Sequence, residues 1–263
     1  MDFIDTHSHL YDEAFDEDLE IVVERAKATG VKKIIFPGID SSCHEKMVSI
    51  SKKLEGFALP CIGLHPTSID NSYREELDFV YREIEQGKFY AIGEIGIDCY
   101  WSTEFIEAQR VAFREQLILA ARKDLPVIIH SRNATDEIFS VMDQVLEDIK
   151  PFGGKLRGTF HAFSGSYETY LRFAKYGDFY VGIGGVLTYK NAGIASVIEK
   201  IPLERIILET DSPWLTPAPH RGKRNESSYV KIIAENIARI KQLPLEEVAS
   251  ITTENAKKLF RID

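Results

Sequence analysis

Cysteine is scarce and unpatterned in this chain. Cys43, Cys61 and Cys99 are the only three in 263 residues, and no CxxC occurs. An odd count without that spacing excludes a disulfide framework and a zinc ribbon, and suits reduced thiols in a cytoplasmic protein. The three read as small buried hydrophobes, with Cys99 near enough to a strand end to face a site. No run of 18 apolar residues is present, so no transmembrane helix is expected. The opening Asp2-Phe3-Ile4-Asp5 does not read as a signal peptide. Positive charge is in deficit: 32 Lys+Arg stand against 41 Asp+Glu, a net charge of -9. General affinity for polyanions rests on Lys and Arg, so a nucleic-acid substrate would need local positive features such as metal ions or an Arg cluster. Low-complexity tracts and long linkers are missing too, and no Gly-rich phosphate loop follows the first apolar run.

What is present is an alternation. Hydrophobic residues make up 44% of the chain, enough for a sizeable core. Short apolar runs end Phe3-Ile4, then span Lys33 to Phe36, Ala58 to Leu64, Tyr90 to Glu94, Pro126 to His130, Gly158 to His161, Phe179 to Ile183 and Arg205 to Asp211. Between them lie helical spacings: Leu19, Val22, Val23, Ala26 with Gly30 as a stop; Met47, Ile50, Leu54; Leu77, Val80, Tyr81, Ile84; and Ile106, Phe113, Leu117, Ala120. Ile138, Val141, Met142, Val145 follow, then Tyr170, Phe173, Ala174, then Ile194, Val197, Ile198, Ile201, and last Val230, Ile233, Ala234, Ile237, Ile240. A short helical stretch from Thr253 to Phe260 closes the chain. Eight strand–helix repeats of about 33 residues match the size of one βα unit. Strands that are apolar throughout imply a parallel sheet covered on both faces. The expected fold is an α/β protein, a single (β/α)8 TIM barrel over residues 1–263 with eight parallel strands and its site at the C-terminal mouth. An open doubly wound sheet is the alternative.

The strand ends carry the chemistry. In Asp5-Thr6-His7-Ser8-His9, a period of two turns both imidazoles to one side. Taken alone, this HxH is as readily one core and one surface histidine. But strand three ends at His65, strand four at Glu94, strand five at His130, strand six at His161, and strand eight at Glu209 and Asp211. Five of the seven histidines therefore close strands. The set His7, His9, Glu94, His130, His161 and Asp211 exceeds the four ligands of a single zinc and suits two metals bridged by a carboxylate. Imidazole ligands favour Zn, Mn, Ni, Co or Fe over Mg.

Six motifs resemble the TatD family of metal-dependent deoxyribonucleases. They are Asp-Thr-His-Ser-His-Leu at 5–10, Gly-Leu-His-Pro at 63–66, Gly-Glu-Ile-Gly-Ile-Asp at 93–98, Ile-His-Ser-Arg at 129–132, Phe-His-Ala-Phe-Ser-Gly at 160–165 and Glu-Thr-Asp-Ser-Pro at 209–213. Arg224-Asn225-Glu226 also matches. The motifs stand in the family's order and span the chain. Ser227 replaces the family's usual Pro, and Cys99 a bulkier residue. The resemblance implies a TIM barrel of the amidohydrolase superfamily, two divalent ions (Zn, Mn, Mg, Ni or Co) and DNase activity, as a 3′–5′ exonuclease, on DNA ends by a metal-activated water. It implies no membrane partner, and the protein is expected to be a monomer or weak oligomer.

On this basis His7, His9, Glu94 and Asp211 are expected to hold one ion, and Glu94 with His130 and His161 the second. Asp211 is also the candidate general base, against a simpler role capping the turn at Ser212-Pro213. Glu209 is assigned to orienting a ligand histidine. His65 is assigned to a substrate phosphate or the leaving oxygen, or else to a local hydrogen bond. Arg132 and Arg224 are candidate phosphate clamps, with a salt bridge at a helix start as the alternative for Arg132. Arg221 and Lys223 extend a basic loop, and Tyr100-Trp101 could stack a base or merely pack their loop. His44 and His220 read as surface or loop residues. Two other readings remain: a D-aminoacyl-tRNA deacylase-type esterase, and a small-molecule amidohydrolase or lactonase. The latter class often bridges its metals with a carboxylated Lys on strand four, where this chain has Glu94.

Overall fold

A computed structural model describes residues 1–190 and 192–263. Its strands are β1 (Phe3–Asp5), β2 (Val31–Phe36), β3 (Ala58–Pro60), β4 (Ile92–Asp98), β5 (Val127–Arg132), β6 (Leu156–Phe160), β7 (Gly177–Ile183) and β8 (Ile206–Leu208). Its helices are α1 (Leu19–Thr29), α2 (Ser41–Lys53), α3 (Tyr73–Gln86), α4 (Ile106–Lys123), α5 (Thr135–Ile149), α6 (Tyr167–Phe173), α7 (Ala195–Lys200), α8 (Val230–Lys241) and α9 (Leu245–Phe260). Strands β1 to β3 form one parallel run and β4 to β8 another.

Two seams join the runs. At one, Ile62 bridges Ile92, and Gly93 N–H donates to the Ile62 carbonyl at 2.8 Å. At the other, Thr6 N–H reaches the Leu208 carbonyl at 3.0 Å, Asp211 N–H the His7 carbonyl at 2.8 Å, and Ser8 bridges Ser212. The eight strands thus follow one another around a ring, the arrangement of a TIM barrel.

Local chemistry accounts for the element ends. Helix α1 buries Val22, Val23 and Ala26 and stops at Gly30, whose left-handed backbone donates to the Ala26 carbonyl. Asp40 caps α2 by accepting from Ser42 N–H at 3.0 Å, and Ser166 caps α6 by accepting from Thr169 N–H at 3.2 Å.

Several boundaries differ from the sequence-based expectation. Strand four does not end at Glu94 but runs on to Asp98, because Ile95 to Asp98 pair with Ile129 to Arg132 of β5. The third run is a strand only to Pro60, after which Ile62 makes a lone bridge. The eighth stops at Leu208, before the polar residues. The C-terminal helix starts at Leu245 rather than Thr253, directly after Pro244 and with Glu246 and Glu247 in its first turn.

That longer α9 closes the N-terminal end of the barrel. Ile4, Ile35, Leu59, Cys61, Ala91, Ile128, Tyr180 and Ile207 form one buried cluster with Ala256, Leu259 and Phe260 of α9. Burying Leu259 and Phe260 contributes about 1.5–3 kcal/mol each. A second, larger cluster fills the layer between strands and helices, with Phe36, Met47, Val80, Phe113 and Leu117 among its fully buried members. The barrel is therefore apolar at its base, and its buried polar residues gather at the other end.

Gly96 is the tightest point in the wall. Its φ is 151°, and a Cβ there would lie 1.9 Å from the His130 carbonyl oxygen. Gly96→Ala is expected to lower unfolding free energy by about 3 kcal/mol or more. A urea midpoint equal to that of the parent chain would contradict this packing.

Candidate metal centre

The ladder carries β1 two residues past its formal end. Hydrogen bonds from Ser8 N–H to the Ile35 carbonyl (3.1 Å) and from His9 N–H to the Ser212 carbonyl (2.8 Å) fix His7 and His9 at the mouth. Asp5 pins the same seam from within. It is fully buried, and its carboxylate accepts from Thr210 N–H at 2.9 Å and from the Thr210 hydroxyl at 2.6 Å. Burial pushes the Asp5 carboxyl up to about 7, against hydrogen bonds from Ser227, Thr210 and His7 that pull it down.

Helix α4 supplies two buried amides that bracket neighbouring strand ends. Gln116 accepts from Leu64 N–H at 2.7 Å and donates to the Leu64 carbonyl at 3.2 Å. Gln109 does the same for Asp98, at 2.8 and 3.3 Å. Seven residues is two helical turns, so one face of α4 holds the approaches to both His65 and Asp98.

Glu94 stands at the centre. Its Oε2 lies 3.0 Å from His7 Nε2 and 3.9 Å from His9 Nε2. Its Oε1 lies 2.9 Å from His130 Nδ1, 3.3 Å from His65 Nε2 and 3.7 Å from His161 Nε2. Asp211, with φ at 58°, places Oδ1 3.6 Å from Nε2 of both His7 and His9 and 3.9 Å from His161 Nε2. The rings of His7 and His161 stack at 3.6 Å. The six residues expected to share a site therefore lie together.

The outer nitrogens decide what the inner ones can do. Tyr11 gives its single hydroxyl proton to the Pro37 carbonyl, so its 2.7 Å contact with His9 is a hydrogen bond donated by Nδ1–H. His130 Nε2–H donates to Asp98 Oδ2 at 2.9 Å. His161 Nδ1 faces Glu209 Oε1 at 3.0 Å, an ion-pair distance without hydrogen-bond geometry. In neutral His9 and His130 rings held this way, the other nitrogens turn bare toward Asp211 and Glu94. Lone pairs facing carboxylate oxygens repel unless a cation or extra protons lie between them. His7 Nδ1 has no hydrogen-bond partner among the described residues, although it is buried.

The electrostatics report the same demand for positive charge. Burial disfavours a charged His161, yet Glu209, Glu94 and Asp211 override it and push its pKa up to about 10. Burial likewise opposes charge on His130, but Asp98 and Glu94 push it up to about 9. Burial also opposes ionisation of Glu94, and the positive fields of His161, His65 and His7 with the His130 hydrogen bond hold it well below the usual carboxylate range. Asp211 is lowered too: burial opposes this, and His161 with a hydrogen bond from His9 prevails. His7 goes down, through burial and the nearby His161. The donor set of imidazoles and carboxylates fits a divalent cation; His7, His9 and Asp211 form one compact trio, and His65, Glu94 and His130 another.

The remaining expected residues divide. Glu209 sits beside His161, as expected, and also accepts from Ala162 N–H at 2.6 Å. The Asp211 carboxylate faces the imidazoles, while the turn at Ser212-Pro213 is closed by its backbone carbonyl accepting from Trp214 N–H. His65 Nδ1 accepts from Thr67 N–H at 3.1 Å, so the proton of its neutral ring lies on Nε2, toward Glu94. Arg132 makes no salt bridge among the described residues: its guanidinium lies 3.6 Å from the Tyr100 ring centroid and 5.3 Å from that of Trp101. Arg224 requires a correction. It is bound two-pronged to Asp18 at 2.8 and 2.7 Å, donates to the Ala14 carbonyl and covers the Phe15 ring, so three of its five N–H donors are engaged within the fold. His44 is a half-buried residue facing Glu83, and His220 stacks on Tyr229.

Two residues escaped the sequence reading. Asp98 and Tyr11 each fix a histidine, and both continue a period of two: Glu94, Gly96, Asp98 along β4 and His7, His9, Tyr11 beyond β1. That alternation was the available signal.

A family model described as TatD-related DNase matches residues 4–261. A Bacillus subtilis protein named metal-dependent hydrolase YabD is 42% identical over 260 residues, covering 98% of this chain and 99% of that protein. Human deoxyribonuclease TATDN3 is 33% identical over 271 residues, covering 98% of this chain and 94% of that one. The crystal structure of the Escherichia coli TatD homologue YjjV superposes with a TM-score of 0.90 at 30% identity, covering 99% of this chain and 98% of the other.

Because Arg224 is an internal strut, Arg224→Ala is expected to cost up to about 1 kcal/mol of stability. It should leave the salt dependence of oligonucleotide KM unchanged. A flattened salt dependence would restore Arg224 as a phosphate contact.

Proposed function

The chain belongs to the TatD-related DNase family, and from that premise we propose that it is a divalent-metal hydrolase that cleaves phosphodiester bonds of DNA from 3′ ends. The observation that carries the reading is the convergence of five imidazoles on Glu94, with His9 and His130 held from behind by Tyr11 and Asp98 and His161 set beside Glu209. His7, His9, Glu94 and Asp211 would hold one ion, and Glu94, His130 and His161 the other. Charge favours two: Glu94, Asp98, Glu209 and Asp211 bring four negative charges into contact with the histidines, which two divalent ions balance and one does not. Bound there, the ions supply Lewis acidity toward phosphoryl oxygens and a lowered pKa for water.

The chain's own groups do the rest. The Asp211 side chain is 13% exposed against 4% for Glu94, so Asp211 is the carboxylate that meets an incoming water and takes its proton. His65 Nε2–H faces Glu94 at the mouth, and would turn to a phosphate or a leaving oxygen once cations take up that carboxylate. Arg132 follows His130 by two on β5 and so shares its side; stacked on Tyr100 with no carboxylate partner among the described residues, it keeps its charge for a substrate phosphate. Glu94 at the strand-four position removes the bridging Lys of many small-molecule amidohydrolases.

Glu94→Gln and Asp211→Asn are each expected to lower oligonucleotide hydrolysis on the order of 10³-fold or more with folding retained. Wild-type rates in both variants would end this reading. A 5′-labelled strand should shorten stepwise under Mn or Zn. Release of an amino acid from D-aminoacyl-tRNA without any DNA cleavage would instead favour the esterase.

Asp98 should act through His130. Asp98→Asn is expected to weaken metal binding, measured by calorimetry, by roughly 10–100-fold. Unchanged affinity would show that His130 needs no such support.

A further inference from the structure

Aromatic side chains bury the largest areas in protein cores, yet both tryptophans of this chain stand in solvent: Trp101 is 71% exposed and Trp214 50%. Both sit in loops at the C-terminal mouth, Trp101 after β4 and Trp214 after β8. In the ring of eight strands β4 pairs with β5 and β8 adjoins β1, so the two loops lie across the mouth from each other. The metal centre lies between them. We propose that Trp101 and Trp214 are stacking posts for two nucleobases of one unpaired strand, one on each side of the phosphate at the centre. The proposal rests on the phosphodiesterase reading above and specifies how the substrate is gripped.

Each post is tied to a residue of the centre. Asp98, whose Oδ2 holds His130, accepts with Oδ1 from Tyr100 N–H at 2.8 Å and from Trp101 N–H at 3.3 Å. Tyr100 is already committed. It carries the Arg132 guanidinium on its ring and meets the Trp101 ring edge-on, with centroids 4.9 Å apart at 85°. Trp101 is thus the outer and more open ring of the pair. On the other side, Trp214 N–H donates to the Asp211 carbonyl at 2.8 Å, and the Trp214 carbonyl accepts from the buried Asn225 amide at 2.6 Å. Its indole stands at 65° to the His9 ring, with centroids 5.1 Å apart, and half of the residue remains in solvent. Backbone bonds of this kind fix where each ring emerges without covering it.

The surroundings select the ligand. A flat group with an apolar face, joined through a sugar to the phosphate at the centre, is a nucleobase, and every base offers a π-face to an indole. Arg132, 5.3 Å from the Trp101 ring, supplies a cation for the backbone that links the bases. A lipid surface would need one contiguous apolar patch, whereas here histidines and carboxylates separate the two rings. Bases within a duplex already stack on one another, so the posts take them only from a strand whose bases are splayed.

Because the chain has no other tryptophan, indole emission reports on the posts alone. The probe is a cleavage-resistant phosphorothioate tetrathymidylate on the Mn-loaded protein, against an abasic strand that keeps every sugar and phosphate. The thymidylate should quench the emission and bind at least about 25-fold tighter than the abasic strand, two bases at about fivefold each, the low end for stacking. Trp101→Ala and Trp214→Ala should each lower this preference about fivefold, with the remaining indole still quenched. Trp101→Phe and Trp214→Phe, which keep a ring, should recover most of it. On unmodified single strands the Ala variants should chiefly raise KM. Equal binding of the two strands by the parent protein, or a base preference undiminished in both Ala variants, overturns the posts. Absence of cleavage of every oligonucleotide, with the quench and the preference intact, would overturn the nuclease reading and leave the posts standing.

Discussion

A carboxylate buried on the axis of a barrel must be compensated, and the C-terminal half of this molecule is arranged around that requirement. Glu94 is 3% exposed and borders five histidines. A lone buried charge of this kind would neutralise itself by taking up a proton. Here the imidazoles hold it ionised, and two of them, His130 and His9, donate their outer protons to Asp98 and Tyr11, so more acceptors gather behind the first carboxylate. The centre is built to need cations.

The price of such a centre is met by rigidity elsewhere. The apolar plug of α9 packs the base of the barrel, so the polar mouth does not have to carry the stability of the fold. The two glutamines of α4 tie the strand-three and strand-four ends to one helix face. Gly182 shows how little slack remains: a Cβ there would come within 2.1 Å of Glu209 Oε2. The side chain that backs His161 thus occupies the space a larger residue would need on β7.

Much of this was legible because strand and ligand patterns share one period. Apolar runs buried on both faces reveal a parallel barrel, and a histidine or carboxylate closing such a run stands out against it. The errors arose where that contrast fades. Strand four was cut at Glu94 because a charge looks like an end, yet backbone pairing with β5 carries it to Asp98. That truncation also hid Asp98 as the partner of His130. Arg224 was misread because a guanidinium near a motif looks free; only the fold brings Asp18 and the Ala14 carbonyl, more than 200 residues away, against it.

An overall charge of -9 and a polyanionic substrate are compatible if attraction is local. Long-range fields between exposed charges are screened within about a Debye length, roughly 8 Å at physiological salt. Most of the acidic residues therefore act on solvent rather than on a strand end at the mouth. Near the mouth lie Arg132 on its aromatic platform and a centre whose four carboxylates call for cations. Local attraction at the mouth therefore does not require a basic surface elsewhere, which ties the deficit of basic residues to the cation demand of Glu94.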